Sequence, residues 1–156
     1  EYLFWTIGGL DYRRWDHVLL GIGPMAVSIG IMLLLTRQLN ILVLGDAEAR
    51  SVGMPVTKYR LLLLTLAART TATGVCISGN IGFVGLVVPH MMRLLIGPDH
   101  RRLLPASLLA GAVFLVFCDA LGRVILPGME VRVGIMTAFI GTPYFLYLLR
   151  KHQRME

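Results

Sequence analysis

Five apolar stretches alternate with polar segments along the chain, at residues 17–35, 61–78, 81–96, 105–125 and 133–149. A helix rises roughly 1.5 Å per residue, so the first stretch would be roughly 27 Å long, enough to cross the hydrocarbon core of a bilayer. Polar residues from Arg37 to Asn40 are expected to end that first helix. The pattern predicts an all-α integral membrane protein, with five transmembrane helices in one domain that covers residues 1–156.

The polar segment between the first two stretches carries the signals of one short helix. Asp46 is a suitable N-cap, Glu48 suits the positive start of a helix, and Gly53 suits the position just beyond its end. Pro55 prevents continuation, so the predicted helix covers residues 47–52. Because so short a helix cannot cross a bilayer, we expect it to lie at the membrane surface. By its pattern alone, an ordinary re-entrant loop is an equal alternative.

Composition and charge agree with a membrane protein. Apolar residues make up 56% of the chain, and its mean hydropathy is +0.71. The formal charge is +6, but lysine and arginine occur singly or in pairs between the apolar stretches, which argues against a nucleic-acid-binding surface. Most of these basic residues fall on the side that holds the short helix and the C-terminal tail. The positive-inside rule therefore predicts that both are cytoplasmic.

Patterns typical of catalysis or metal binding are missing from the sequence. Ser107 and the threonines of the second stretch have no base partner at a usable spacing, and there is no glycine-rich Lys-Ser/Thr loop for a nucleotide. His90 with the two following methionines, and Asp99 with His100, are consecutive residues, which do not face one point on a helix. We expect neither an enzyme nor a metal site in this chain.

Charged residues inside the apolar stretches need partners, because charge is costly in lipid. Asp119 and Arg123 are four residues apart, so they share a helix face and are predicted to neutralise each other. Arg69 lies near the middle of the second stretch. We expect it either to pair with Asp119 or to contact an anionic group of a transported substrate.

One further pattern is distinctive. It consists of the run GFVGLVVPH at residues 82–90, then Arg93, then the turn at residues 99–101. The residues that carry it are Gly82, Phe83, Gly85, Pro89, His90, Asp99, His100 and Arg101. This combination resembles the signature of the FecCD-type permeases, which are the membrane subunits of ABC importers for iron-siderophore complexes, haem and vitamin B12.

The resemblance gives the segment at residues 44–56 a role. In permeases of this type, the matching loop forms short cytoplasmic coupling helices that dock into the ATPase subunit. Val52 stands where leucine is usual. The implied coupling element consists of Leu44, Gly45, Ala49 and Gly53, which match the family pattern, together with Asp46, Glu48, Arg50 and Pro55.

The resemblance also implies a docking side and a pathway. The arginine at the Arg123 position faces outward in the family and receives acidic residues of a substrate-binding protein. Glu130 matches the outer loop of the family, whereas Arg132 replaces a usual proline and adds positive charge. The last span lies beside the translocation pathway, so Thr137 and Thr142 are candidates to line it, with close helix packing as the alternative role.

Family members are about twice as long and have ten spans, so the resemblance implies that this chain is the C-terminal half of such a permease. It further implies a multi-pass protein of the cell inner membrane that forms a homodimer with a second permease copy. Two ATP-binding cassette subunits would carry ATP and Mg, and a periplasmic or lipid-anchored protein would deliver the substrate. The chain itself is expected to contact membrane lipid but to bind no cofactor and no nucleic acid. The alternative is a secondary, ion-coupled transporter without an ATPase partner.

Overall fold

The computed structural model describes residues 6–10, 14–125 and 131–153. The regular structure of these residues is helical, which confirms the all-α fold class. Beyond a short N-terminal segment, the helices are α1 Trp15–Leu34, α2 Thr36–Leu44, α3 Asp46–Ser51, α4 Val56–Ser78, α5 Val84–Ile96, α6 His100–Ile125 and α7 Val133–Gln153.

Three of these helices, α1, α4 and α6, are long and apolar enough to cross a membrane. Two shorter apolar helices, α5 and the first part of α7, correspond to the remaining apolar stretches of the sequence. Most of the surface of the three long helices is not buried within this chain. Their exposed leucines and valines are therefore free to face lipid or other protein.

The helices pack in two groups. In the first, α1 lies against α4, and the side chain of Ile77 fills the space beside Gly21, where an added Cβ would be only 2.0 Å from its Cδ1. In the second, α5, α6 and α7 pack against one another, and Cys118 of α6 forms a buried core with Val133 and Met136 of α7. Helix α2 joins the groups, because it follows α1 in the chain and packs against α6.

The first apolar helix ends at Leu34, in agreement with the end predicted near residue 35. The sequence did not predict that a second helix follows at once. After Leu35 the chain continues as α2, which contains Arg37 and Asn40 and ends at Leu44. In the structure, Asn40 is hydrogen-bonded to the turn between α5 and α6.

Two further helix starts differ from the sequence prediction. Helix α5 begins at Val84 rather than at residue 81, since Phe83 has a left-handed backbone with φ 65°. Helix α6 begins at His100, and Pro105 lies inside it instead of at its first position. The earlier start has a physical cause: Asp99 caps the helix, and its Oδ1 accepts a hydrogen bond from the Arg101 backbone N–H at 3.0 Å.

Candidate functional site

The C-terminal end of the short helix α3 is closed by specific backbone hydrogen bonds. At its end, the Gly53 N–H donates to the Arg50 carbonyl at 2.9 Å and the Met54 N–H donates to the Ala49 carbonyl at 3.1 Å. With Gly53 at φ 76°, this is a Schellman motif, and Pro55 follows it. The predicted roles of Gly53 beyond the helix end and of Pro55 as a stop are confirmed.

The start of α3 differs from the sequence prediction. Gly45, not Asp46, is the N-cap residue, and its backbone has φ 123° and ψ 163°. Only glycine adopts this region readily. The carboxylate of Glu48 lies over Gly45, so a Cβ there would be 2.6 Å from Glu48 Oε2. The helix is therefore shifted by one residue from the predicted range, and Asp46 is its first residue.

The carboxylate of Asp46 does not accept a hydrogen bond from the backbone of α3, as an N-cap side chain would. It accepts a hydrogen bond from the guanidinium of Arg60, in the first turns of α4. This hydrogen bond from Arg60 is the main cause that lowers the pKa of Asp46. The carboxylate is thus held in its charged form, and the ion pair ties the start of α3 to α4.

The two faces of α3 have different surroundings. Ala49 is fully buried against the bundle, whereas Glu48 and Arg50 are exposed. Leu44 and Val52 flank the helix and are also exposed, at 69% and 67% of their surface. These two apolar side chains lie beside the two opposite charges, and all four are exposed. Helix α3 therefore has the form of a short protrusion with an open face.

Asn40 connects this protrusion to the start of α6, and sequence reasoning missed it. Its Nδ2 donates to Asp99 Oδ1 at 2.6 Å, and its Oδ1 accepts from the His100 backbone N–H at 2.9 Å. Asn40 Oδ1 also lies 2.7 Å from His100 Nδ1. The pKa of Asp99 is lowered, mainly by the hydrogen bond from the Arg101 backbone N–H and secondly by the one from the Asn40 amide. The sequence shows only that Asn40 is one of several polar residues after the first apolar stretch, and nothing in it links Asn40 to Asp99.

The remaining signature residues lie around α5. Gly82 and Phe83 form the non-helical approach to that helix, and Phe83 packs against Gly141 of α7, where a Cβ would be 2.4 Å from its Cβ. Pro89 lies inside α5, which continues through it, as α5 also continues through Gly85. His90 makes an edge-to-face contact with Tyr144 of α7, with ring centroids 6.3 Å apart. Arg101 is exposed on the first turn of α6.

Asp119 and Arg123 form the predicted ion pair on α6, with Arg123 Nε donating to Asp119 Oδ2 at 2.8 Å. At roughly 1.5 Å per residue, Arg123 lies about 35 Å from His100 along this helix. The pair is thus at the opposite end of α6 from Asn40 and α3. Arg132 lies just before α7 and is half-buried. Glu130, the other candidate for docking, lies outside the described residues.

The three pathway candidates lie in different places. Arg69 is exposed in a groove between α1 and α4, beside His17, Thr73 and Cys76. The structure does not bring it to Asp119, because that carboxylate is the partner of Arg123. Thr137 is fully buried, and its hydroxyl donates to the Gly134 carbonyl at 3.1 Å, so it does not face an open pathway in this conformation. Thr142 is exposed on α7.

Within residues 6–10, 14–125 and 131–153, no group of three or more histidine, cysteine, aspartate or glutamate side chains is placed to hold a metal ion. The described site combines a short exposed helix at one end of the bundle, the ion pair of Asp46 with Arg60 and the hydrogen bonds of Asn40 near it, and the ion pair of Asp119 with Arg123 at the other end of α6.

Comparison with known proteins gives a consistent result. Residues 1–151 match the model of the FecCD transport family. The Fe(3+) dicitrate transport system permease protein FecD of Escherichia coli is 47% identical over 94% of this chain and 46% of its own length. The hemin transport system permease protein HmuU of Yersinia pestis is 40% identical over 100% of this chain and 47% of its own length.

A third relative, the cobalamin import system permease protein BtuC of Halobacterium salinarum, is 43% identical over 97% of this chain and 40% of its own length. Among solved structures, an inward-facing metal-chelate type ABC transporter superposes with a TM-score of 0.89 at 36% identity. That match covers 96% of this chain and 49% of the other. The chain spans less than half the length of each of these proteins.

Proposed function

Since the chain belongs to the FecCD transport family, we propose that it forms part of the membrane permease of an ATP-driven importer for a metal chelate. The substrate class is a ferric-siderophore or ferric-citrate complex, haem, or a cobalamin. The names of the related permeases, which refer to iron dicitrate, hemin and cobalamin, support this class. The chain carries no catalytic role, and separate ATP-binding cassette subunits hydrolyse ATP with Mg.

Helix α3 is the observation that carries this proposal. Force from a separate ATPase can move membrane helices only through an element that keeps its shape under load. Helix α3 is suited to this role, because the Schellman motif at Gly53 closes its C-terminal end and Arg60 holds its first residue, Asp46. Its exposed side chains, Leu44 and Val52 among them, form the surface on which the ATPase docks.

The charge distribution supports an orientation and two further partners. We place α3 and the C-terminal tail in the cytoplasm, which follows from the excess of basic residues on that side. The ion pair of Asp119 and Arg123 then lies near the outer surface, about 35 Å away along α6. Arg123 and Arg132, together with Glu130, receive a substrate-binding protein there, and a second permease copy completes the pathway.

Arg69 is the residue that we assign to the substrate pathway. Its guanidinium is exposed in the groove between α1 and α4 and is not paired with Asp119. An arginine at this depth of a span is costly unless it faces protein, water or an anion. We assign it to a carboxylate of the passing chelate. In Arg69→Ala, uptake is expected to fall while expression is retained; lost expression would instead indicate a structural role.

Co-purification tests the main proposal. The tagged full-length permease is purified from its native membrane and assayed for a bound protein that hydrolyses ATP. We expect an ATPase to be recovered with the wild type, and its recovery to fall in Val52→Asn, which changes the exposed edge of α3. Val124→Asn is the control, since the Val124 side chain is similarly exposed (74%, against 67% for Val52) and lies at the end of α6 that is farthest from α3.

The outcomes separate the two transport classes. An ATPase bound by the wild type and by Val124→Asn, but lost from Val52→Asn, supports an importer permease with α3 as its docking helix. A wild-type permease that transports but brings down no ATPase would show that the proposal is wrong and would favour a secondary transporter. Equal loss in both variants would assign the effect to general instability and contradict the docking role of α3.

A further inference from the structure

The amide of Asn40 makes contacts that no other residue type of its size could reproduce. Its Nδ2 donates to the Asp99 carboxylate at 2.6 Å, while its Oδ1 accepts from the His100 backbone N–H at 2.9 Å and faces His100 Nδ1 at 2.7 Å. The site thus needs a donor and an acceptor on one short side chain. Asparagine supplies both, whereas aspartate would place a second carboxylate against Asp99.

Asn40, which lies outside α6, supplies a hydrogen-bond acceptor for the N-terminus of that helix. The first backbone N–H groups of any helix lack partners within it. Asp99 takes the Arg101 N–H at 3.0 Å, and Asn40 takes the His100 N–H at 2.9 Å. The cap of α6 is therefore shared between its own sequence and a residue of α2, and the two helices are joined at that point.

Asn40 also lies close to the coupling helix. It precedes the end of α2 by one helical turn, and Gly45 alone separates α2 from α3. On its other side, α3 is joined to α4 through Asp46 and Arg60. Helix α3 thus connects directly to α2, and the Asn40 contacts are where α2 is hydrogen-bonded to the turn between α5 and α6.

We propose that Asn40 is a positioning residue of the transport cycle, whose amide makes α3, α2 and the start of α6 move as one body when the ATPase binds ATP. The role rests on the proposed importer function and goes beyond it, since it assigns the path by which movement of the docking helix reaches α5 and α6. Without the amide, α3 moves while the α5–α6 turn lags behind.

The test uses the full-length permease reconstituted in nanodiscs with its ATPase. Spin labels at two exposed positions, Ala47→Cys on α3 and Arg102→Cys on α6, report their separation before and after ATP binding. In parallel, uptake of ferric citrate, haemin and cobalamin into proteoliposomes is measured per ATP hydrolysed. The variants are Asn40→Ala, Asn40→Asp and the double variant Asn40→Asp with Asp99→Asn, and Gln38→Ala on the same helix is the control.

In the wild type and in Gln38→Ala, the separation is expected to stay constant on ATP binding. In Asn40→Ala it changes, and the chelate moved per ATP falls by at least about fivefold, because the loss of even one of the two Asn40 hydrogen bonds costs about 1 kcal/mol. Asn40→Asp behaves like the alanine variant because two carboxylates then face each other. Asp99→Asn removes that repulsion and keeps a good N-cap, so the double variant recovers most of the lost coupling.

Three results would overturn the proposal. One is an Asn40→Ala permease with an unchanged label separation and unchanged transport per ATP. Another is failure of both single variants to assemble with the ATPase without recovery in the double variant, which would make Asn40 a packing residue only. The third is a wild-type permease that binds no ATPase, which would refute the importer function and the role of Asn40 together. If the wild type does bind an ATPase and the Asn40 variants behave like it, the importer function stands and the role of Asn40 alone is refuted.

Discussion

Replacing Gly45 with alanine tests whether the backbone at the start of α3 makes this helix rigid. Gly45 has φ 123° and ψ 163°, a region that residues with a side chain enter at a cost of about 1–3 kcal/mol. The new Cβ would also lie 2.6 Å from Glu48 Oε2, but that carboxylate is the end of a flexible side chain and can move away. The backbone term therefore dominates, and we take it as about 2 kcal/mol.

A cost of about 2 kcal/mol raises the equilibrium constant for opening of α3 by about 30-fold, since about 1.4 kcal/mol is a factor of ten. Hydrogen exchange of the full-length permease measures this opening directly, because exchange of protected amides follows local unfolding. The informative amides are those of Ala49, Gly53 and Met54, whose hydrogen bonds close the helix. We expect their exchange to be faster by up to about 30-fold in Gly45→Ala.

Gly53 supplies the matched control. Its φ is 76°, and an added Cβ there would meet no atom within 4 Å, so Gly53→Ala carries only the ordinary left-handed penalty of roughly 1–2 kcal/mol. Gly53→Asn should be close to wild type, because asparagine tolerates this conformation. Wild-type exchange in Gly45→Ala would refute the reasoning, and so would a larger effect in Gly53→Ala.

Three further outcomes follow from the geometry. Hydrogen bonds lower the pKa of Asp99, so this carboxylate contributes to stability above its ordinary pKa of about 4 and loses that contribution as the pH falls through the lowered value. When Tm is measured against pH, Asp99→Asn should therefore show a smaller fall in Tm at acid pH than the wild type. Gly134→Ala would place a Cβ 1.9 Å from a backbone carbonyl oxygen and should lower stability by about 1–3 kcal/mol, whereas Gly74→Ala meets nothing within 4 Å and should leave Tm unchanged or higher. Thr137→Val should cost about 0.5–1.5 kcal/mol with transport retained, while Thr142→Val, at an exposed position, should change transport rather than Tm.

Much of the architecture could be predicted from local sequence. Apolar stretches long enough to cross a bilayer fixed the helical class, and Gly53 with Pro55 fixed the end of α3. Such signals act between residues a few positions apart, where backbone geometry and transfer from water decide the outcome. The signature residues and the coupling segment were identifiable for the same reason, since each is a short continuous run.

Only the tertiary structure decided where polar side chains find their partners. Asn40 and Asp99 are 59 residues apart in the chain, and no local pattern links them, yet their side chains are hydrogen-bonded and join α2 to the start of α6. Asp46 pairs with Arg60 instead of capping α3, and Arg69 lies in the groove between α1 and α4 instead of pairing with Asp119. Burial of apolar surface can be estimated from composition, but a hydrogen bond depends on direction and on distances of about 3 Å, which exist only once the helices are packed.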